Sequence, residues 1–329
     1  MKINLGCASE PLEGNKKVNS VTLLLVLKDR ETYTKRFMSC LMESSCPYKI
    51  LIADGGRGTE IPTLLSDPTS YPELNYSYKR YPYDKDLTTY YKKMSDVLTE
   101  VDTPFVAFMD NDDFLHLEGF SKCVDILSTS NFISARGRVD DMDGNNMYDT
   151  YPNSIVGESA VDRVIDQSKH FHSNWHNVMH TNIAQICWRL IEVLNPTNFR
   201  FIEQLNCYFL IVFGNSYRGD FPWLIHYAGD RIEMESGSLQ DHFPDQLTWI
   251  NSSHWLENFN KMTEAVGAVI SHVDKIPIDE ALNKFTSAYP LKLPHLKEPL
   301  EERINQAKSL GYNKERISVM SEIISSYSI

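Results

Sequence analysis

Along the first 140 residues, short apolar runs closed by polar or glycine clusters alternate with stretches of helical spacing. The run Val21-Thr22-Leu23-Leu24-Leu25-Val26-Leu27 is apolar almost throughout, as a strand buried on both faces of a parallel sheet must be. It gives way to Lys28-Asp29-Arg30-Glu31, after which Tyr33, Phe37, Cys40 and Leu41 recur at helical intervals. A second strand over 48–54 ends in Asp54-Gly55-Gly56, where glycines permit tight turns and close approach of backbone to a ligand. The pattern predicts a third strand over 74–79 and a helix over 86–100 with Leu87, Tyr90, Tyr91, Met94 and Leu98 inward. A fourth strand over 104–109 is opened by Pro104, where a missing N–H costs little. Strands and helices alternating in this way, with polar clusters at successive strand ends, predict a doubly wound nucleotide-binding half. Neither a dinucleotide GxGxxG nor a Walker A motif is present, so neither a dinucleotide fold nor a P-loop is indicated.

Beyond the fourth strand the spacing predicts a helix over 114–127, a strand over 132–139 and a hairpin turn at Asp143-Gly144. A calcium loop centred on Gly144 fails, because its first and twelfth positions would be Val139 and Thr150. Residues 150–180 read as an irregular insertion, followed by a helix over 181–194 and an apolar helix over 205–214. A strand is expected over 223–227 and a polar loop over 231–238. From about residue 245 the texture changes to amphipathic helices (249–269, 278–286, 300–310, 314–325), with a proline-rich link at 289–299. The expected organisation is a loose polar leader over 1–19, an α/β domain over 20–244 and a helical C-terminal extension over 245–329.

Composition narrows the class. A chain of 329 residues with 42% hydrophobic content suits a soluble globular protein, one large domain with an appendage. Its net charge of -12 argues against a general nucleic-acid binder, whose phosphate affinity comes from Lys and Arg. The six cysteines are scattered without Cys-x-x-Cys pairs, which points to reduced thiols and no zinc ribbon. With no signal-peptide pattern and no apolar run long enough to span a bilayer, a cytoplasmic location is expected, and peripheral membrane contact stays open.

The candidate chemistry begins where the fourth strand breaks into Asp110-Asn111-Asp112-Asp113. In an extended chain Asp110 and Asp112 project to one side, and open α/β sheets bind ligands beyond the carboxyl ends of their strands. Two carboxylates there suit a hard divalent cation that also holds a substrate phosphate. The competing reading is an acidic turn with Asp113 as N-cap of the next helix. His172, His176 and His180 are four apart; with no HExxH glutamate, a polar face lining a pocket is preferred over zinc. Trp175 suits either a sugar-stacking or a core position. Glu203, just ahead of the apolar helix, suits either a first-turn charge or a base pointing into a cleft.

Taken in order, these elements resemble the inverting GT-A glycosyltransferases of the family-2 type over about residues 20–240. The first strand and its Lys28-Asp29-Arg30-Glu31 turn parallel the family's first strand, whose polar turn contacts the nucleotide; Asp29 and Arg30 keep that polar part. Ile52-Ala53-Asp54-Gly55-Gly56 is similar to an Asp-Asp-Gly-Ser turn whose aspartate contacts the base, with Ala53 in place of one acid. Phe108-Met109-Asp110-Asn111-Asp112-Asp113 is similar to the DxD element. Glu203-Gln204 falls where the family has Glu-Asp, the pair that supplies the general base. Arg231-Ile232-Glu233, with Ser236 and Ser238, resembles an element whose histidine completes the metal site, Glu233 replacing that histidine. Tyr91-Lys92 stands where an Arg-Asn pair is usual.

The resemblance implies an α/β, GT-A (Rossmann-like) fold, with a mostly parallel central sheet flanked by helices. It implies inverting transfer from a nucleoside diphosphate sugar to a glycan, lipid-linked or protein acceptor. Asp110, Asp112 and Glu233 would hold Mn²⁺ or Mg²⁺; Asp29, Arg30, Asp54, Gly55, Lys85, Asp110 and Asn111 would hold the nucleotide; Glu203 would be the base. Two rival readings stay open. One is a catalytically inactive GT-A-fold binder, which the Ala53, Gln204 and Glu233 departures favour. The other is a sugar nucleotidyltransferase, which the absence of glycine from Leu27-Lys28-Asp29-Arg30 disfavours.

Overall fold

The computed structural model describes residues 19–141, 153–171, 173–226 and 245–327. Val21–Leu27 (β1), Lys49–Asp54 (β2), Tyr76–Arg80 (β3) and Phe105–Met109 (β4) form a parallel half-sheet. Glu31–Glu43 (α1), Glu60–Ser66 (α2) and Leu87–Leu98 (α3) connect them. The second half contains Phe114–Leu115 (β5), Leu117–Thr129 (α4), Ser134–Asp141 (β6), Ala160–Lys169 (α5) and Val178–His180 (β7). Thr181–Leu194 (α6), Phe199–Phe213 (α7) and Ser216–His226 (β8) follow. The eight strands form one sheet in the order β3-β2-β1-β4-β7-β6-β8-β5, mixed because β7 and β5 run against their neighbours.

Strands β1, β2 and β4 are buried on both faces, and strand alternation sorts their side chains between two apolar cores. In β1, Leu24 joins one core while Val21, Leu23, Leu25 and Leu27 join the other. This is why β1 reads as a continuous apolar run and not as alternating apolar and polar. The second core is closed by α1, α2 and α4. The first is closed by α3, α6 and α7, and also by the C-terminal helices Gln246–Ile250 (α8), Trp255–Asp274 (α9), Ile278–Ala288 (α10), Lys297–Ser309 (α11) and Lys314–Ser326 (α12). Trp255 and Phe259 of α9 stack at 4.5 Å with no exposed surface, and Phe201 of α7 lies 6.3 Å from Trp255. Each such side chain contributes roughly 2–3 kcal/mol by leaving water.

Several elements differ from expectation. The helix expected from residue 114 begins at Leu117, because Phe114 and Leu115 pair with Ile225 and Leu224 of β8. Its N-cap is His116, whose Nδ1 accepts from the Gly119 N–H, so Asp113 does not cap it. The single helix expected over 249–269 is two, separated at Asn251-Ser252-Ser253-His254. The 150–180 stretch holds the regular helix α5, started by a Ser159/Asp162 capping box. The Asp143-Gly144 hairpin and the 231–238 loop lie outside the described residues. No described helix is long and apolar enough to cross a membrane, and no described cysteine is in a disulfide.

Candidate active site

The strand order reverses between β1 and β4, which opens a crevice beyond their carboxyl ends. On the β1 side, Asp29 and Arg30 both adopt left-handed backbone conformations, φ 56° and 63°. Each costs a non-glycine residue roughly 1 kcal/mol, so side-chain contacts must hold the turn. Asp29 Oδ1 accepts from the Arg57 N–H at 2.6 Å, and the Arg30 guanidinium donates to Asp112 Oδ2 at 2.6 Å. Arg36 donates to the Asp112 carbonyl at 2.6 Å, and the Asn111 amide donates to Thr34 Oγ1 at 2.9 Å. These contacts lock the ends of β1 and β4 together.

Asp54, at the end of β2, is buried and accepts from the Gly56 N–H and the Tyr78 hydroxyl, both at 2.7 Å, as well as from Arg80. Gly55 is required by close approach: a Cβ there would sit 2.4 Å from Asp84 Oδ2. Asp84 forms a fully buried ion pair with Lys93 of α3, whose ammonium also donates to the Leu27 carbonyl at 2.9 Å. Burial pushes the Asp84 carboxyl up and the Lys93 ammonium down, each opposed by the partner's charge.

At the end of β4 the chain turns instead of continuing extended, and a turn brings together residues three apart. Asp110, Asp113 and His176 each offer one ligand atom, all within 4.8 Å of one another. His176 Nε2 lies 3.7 Å from Asp110 Oδ2 and 3.4 Å from Asp113 Oδ2. Its Nδ1 is 3.4 Å from the Phe108 carbonyl, which can only accept, so that ring nitrogen carries a proton. The Nε2 lone pair would then face two carboxylates, an arrangement that needs a proton or a metal ion between them. Asp113 is also bonded by His226 Nδ1 at 2.8 Å, and that contact raises the His226 pKa. Surrounding protein pushes the Asp110 carboxyl up to about 6, opposed chiefly by His176 and reinforced by Asp113 and Asp112.

Glu203 is not ahead of the apolar helix: the helix starts at Phe199, Glu203 lies in its second turn, and its side chain is exposed. The protein around it raises its pKa; Lys292 and Arg200 oppose the rise and Asp110 adds to it. Trp175 packs against Phe108 at 5.9 Å and Phe199 at 6.4 Å, and its indole slightly offsets the rise of the Asp110 pKa.

Of the residues singled out from sequence, Asp110, Asn111, Asp112, Asp29, Arg30, Asp54 and Gly55 gather at the crevice. Asp112 is outside the ligand cluster, its carboxylate held by Arg30. Lys85 is exposed ahead of α3, and Glu233 lies outside the described residues. The three histidines do not share a helix face: residues 173–180 form a turn and β7, His180 packs edge-on against Phe105 at 5.1 Å, and His172 is undescribed. His176 was read from the sequence only as a pocket-lining residue and not as a partner of Asp110, whereas Asp113, His226 and the Asp84–Lys93 pair were missed as site residues. Asp113 was legible as the acid beside the DxD. The others reach the site only through long-range folding, and local sequence carries no sign of them.

No protein-family model and no curated protein matches the sequence. Solved structures do share its fold. The crystal structure of S. aureus TarS matches with 10% identity and a TM-score of 0.53, over 92% of this chain and 55% of that one. This chain thus spans little more than half of the first of these structures. Residues 1–349 of TarS, in complex with UDP-GlcNAc, match with 11% identity and a TM-score of 0.51, over 93% and 92%. Identity this low is evidence of fold alone, and the fold is that of the GT-A glycosyltransferases.

Proposed function

We propose that the protein is an inverting glycosyltransferase that moves a sugar from a nucleoside diphosphate sugar to an acceptor hydroxyl. The observation that carries this reading is the Asp110/Asp113/His176 cluster at the β4 end of the crevice, with Glu203 near enough to feel the Asp110 charge. Two carboxylates and an imidazole suit Mn²⁺ better than Mg²⁺, because nitrogen is a poorer partner for the harder ion. Such an ion, held by these residues, would neutralise charge on the departing diphosphate. The inward-facing Nε2 of His176 is what the fit predicts of a ligand, its ring oriented by the Phe108 carbonyl.

The chain's own residues then have distinct tasks. The Arg30–Asp112 pair and the Asp29 turn shape the donor side of the crevice. Asp54 has both oxygens engaged within the protein, so its part is to hold the β2 turn open to the base. Glu203 accepts the proton of the acceptor hydroxyl as that oxygen bonds to the anomeric carbon. The bond from that carbon to the diphosphate oxygen breaks as the new one forms, and the diphosphate leaves with the electron pair. One displacement inverts the anomeric centre.

UDP-GlcNAc is the first donor to test, with UDP as the matching product, since TarS residues 1–349 bind UDP-GlcNAc. Glu203→Gln should keep Mn²⁺-dependent binding of the donor and lose transfer by at least about a hundredfold. Full transfer by that variant would remove Glu203 as the base.

A further inference from the structure

Asp54 is where the resemblance puts the contact to the base, yet its carboxylate already accepts from the Gly56 N–H, the Tyr78 hydroxyl and Arg80. A base in this crevice therefore needs another hold, and the turn that follows Asp54 carries one. Three turns are fastened together at the carboxyl ends of β1, β2 and β3. The Gly55 N–H donates to the Leu27 carbonyl at 3.0 Å, and the Asp84 N–H donates to the Gly55 carbonyl at 2.9 Å. The backbone on both sides of Arg57 is fixed as well. Its own N–H donates to Asp29 Oδ1 at 2.6 Å, and the Arg80 guanidinium donates to the carbonyls of Gly56 and Gly58.

From that fixed point the Arg57 side chain lies over the Tyr83 ring, its guanidinium carbon 4.0 Å from the ring centroid. The Lys28 ammonium lies 5.5 Å from the centroid of the same ring. Arg57 is exposed, and neither cation forms an ion pair among the described residues. A long charged side chain at the surface ordinarily keeps its rotamer freedom. Here a planar cation is instead held against an aromatic ring, without an acid to neutralise it. Guanidinium planes stack on aromatic faces, and nucleobases stack on guanidinium planes. The position suits a base. Arg57 follows β2, two strands from β4 and its Asp110/Asp113/His176 cluster, roughly 10 Å at the usual strand spacing. A nucleoside diphosphate with its phosphates at the cluster reaches the β2 side through its ribose.

We propose that Arg57 holds the nucleobase of the donor by stacking, with Tyr83 as the positioning residue that keeps the guanidinium in place. The proposal rests on the donor being a nucleoside diphosphate sugar bound in this crevice. The base is then held by its face at Arg57, and not by its edge at Asp54.

The test is isothermal titration of the full chain with UDP, and with GDP, in saturating Mn²⁺. Arg57→Ala should weaken nucleotide binding by roughly tenfold to a hundredfold, the size of a base-stacking contribution. Inorganic pyrophosphate has no base and should bind Arg57→Ala as it binds the wild type. Arg57→Lys keeps the charge without the plane and should stay weakened. Tyr83→Leu should also weaken binding, and Tyr83→Phe, which keeps the ring, should not. The melting temperature without ligand reports whether each variant is folded. Unchanged nucleotide affinity in a folded Arg57→Ala protein would overturn the proposal. Full affinity in Arg57→Lys, or an equal loss for pyrophosphate, would overturn it too, because charge alone would then be read. A folded wild type that binds neither UDP nor GDP with Mn²⁺ would instead remove the nucleotide-sugar reading, so the two failures are distinguishable.

Discussion

At the scale of the residue, the account turns on which acids face a donor. Alternation along an extended chain pairs Asp110 with Asp112, but the chain turns at Met109, and a turn pairs residues three apart. Asp110 and Asp113 therefore meet at His176, while Asp112 is spent on Arg30. The ligand cluster and the Arg30–Asp112 pair then have separable phenotypes. His176→Ala should abolish stabilisation by Mn²⁺ plus UDP while leaving the apoprotein folded. Asp112→Asn should keep that response and loosen the Arg30 turn, costing about 1–3 kcal/mol in urea unfolding. Loss of the metal response in Asp112→Asn alone, with His176→Ala unaffected, would return the metal site to the original spacing. The raised Glu203 carboxyl has a consequence for rate. A base works only when deprotonated, so activity is lost as pH falls through its pKa. The lower limb of the transfer profile should therefore lie above the ordinary glutamate value. A limb at or below the ordinary glutamate value would contradict this.

At the scale of the element, most of the parallel half was legible because its strands are buried on both faces. Burial leaves an unbroken apolar signature in β1, β2 and β4, each ending in a polar cluster. Elements whose identity is set by a distant partner were not legible. Phe114 and Leu115 have the composition of a helix start, yet become a strand because β8 offers them hydrogen bonds. Lys93 looks like one more polar position on α3, and only its packing beneath β1 reveals a buried ion pair with Asp84. Breaking that pair leaves a buried, uncompensated carboxylate directly under Gly55. Lys93→Met should destabilise the protein by about 3–5 kcal/mol in denaturant unfolding. The double variant with Asp84→Asn should recover much of the loss; no recovery would mean Lys93 acts mainly through the Leu27 carbonyl. Gly55→Ala, with its Cβ driven against Asp84, should disturb the same floor.

At the scale of the whole molecule, the C-terminal helices read from sequence as an extension, but they share one apolar core with α3, α6 and α7. Trp255, Phe259, Phe285 and Tyr289 are all fully buried in it, so a chain ending at residue 244 would expose a large apolar face. Such a truncation should be insoluble or molten, showing early urea unfolding and dye binding; a cooperative, stable fragment would make the helices a separate unit. The acids at the ends of β1, β2 and β4 line one crevice, and the account stands or falls on what that crevice binds. The most direct measurement is the melting temperature of the full chain with UDP, with and without Mn²⁺, beside Asp110→Asn. At a hundred times its dissociation constant a ligand stabilises by about 2.7 kcal/mol, a shift of several degrees or less in a chain of this size. The account predicts a rise that needs both UDP and Mn²⁺ and disappears in Asp110→Asn. A folded wild-type protein that melts unchanged with UDP and with other nucleoside diphosphates, with or without metal, would contradict it.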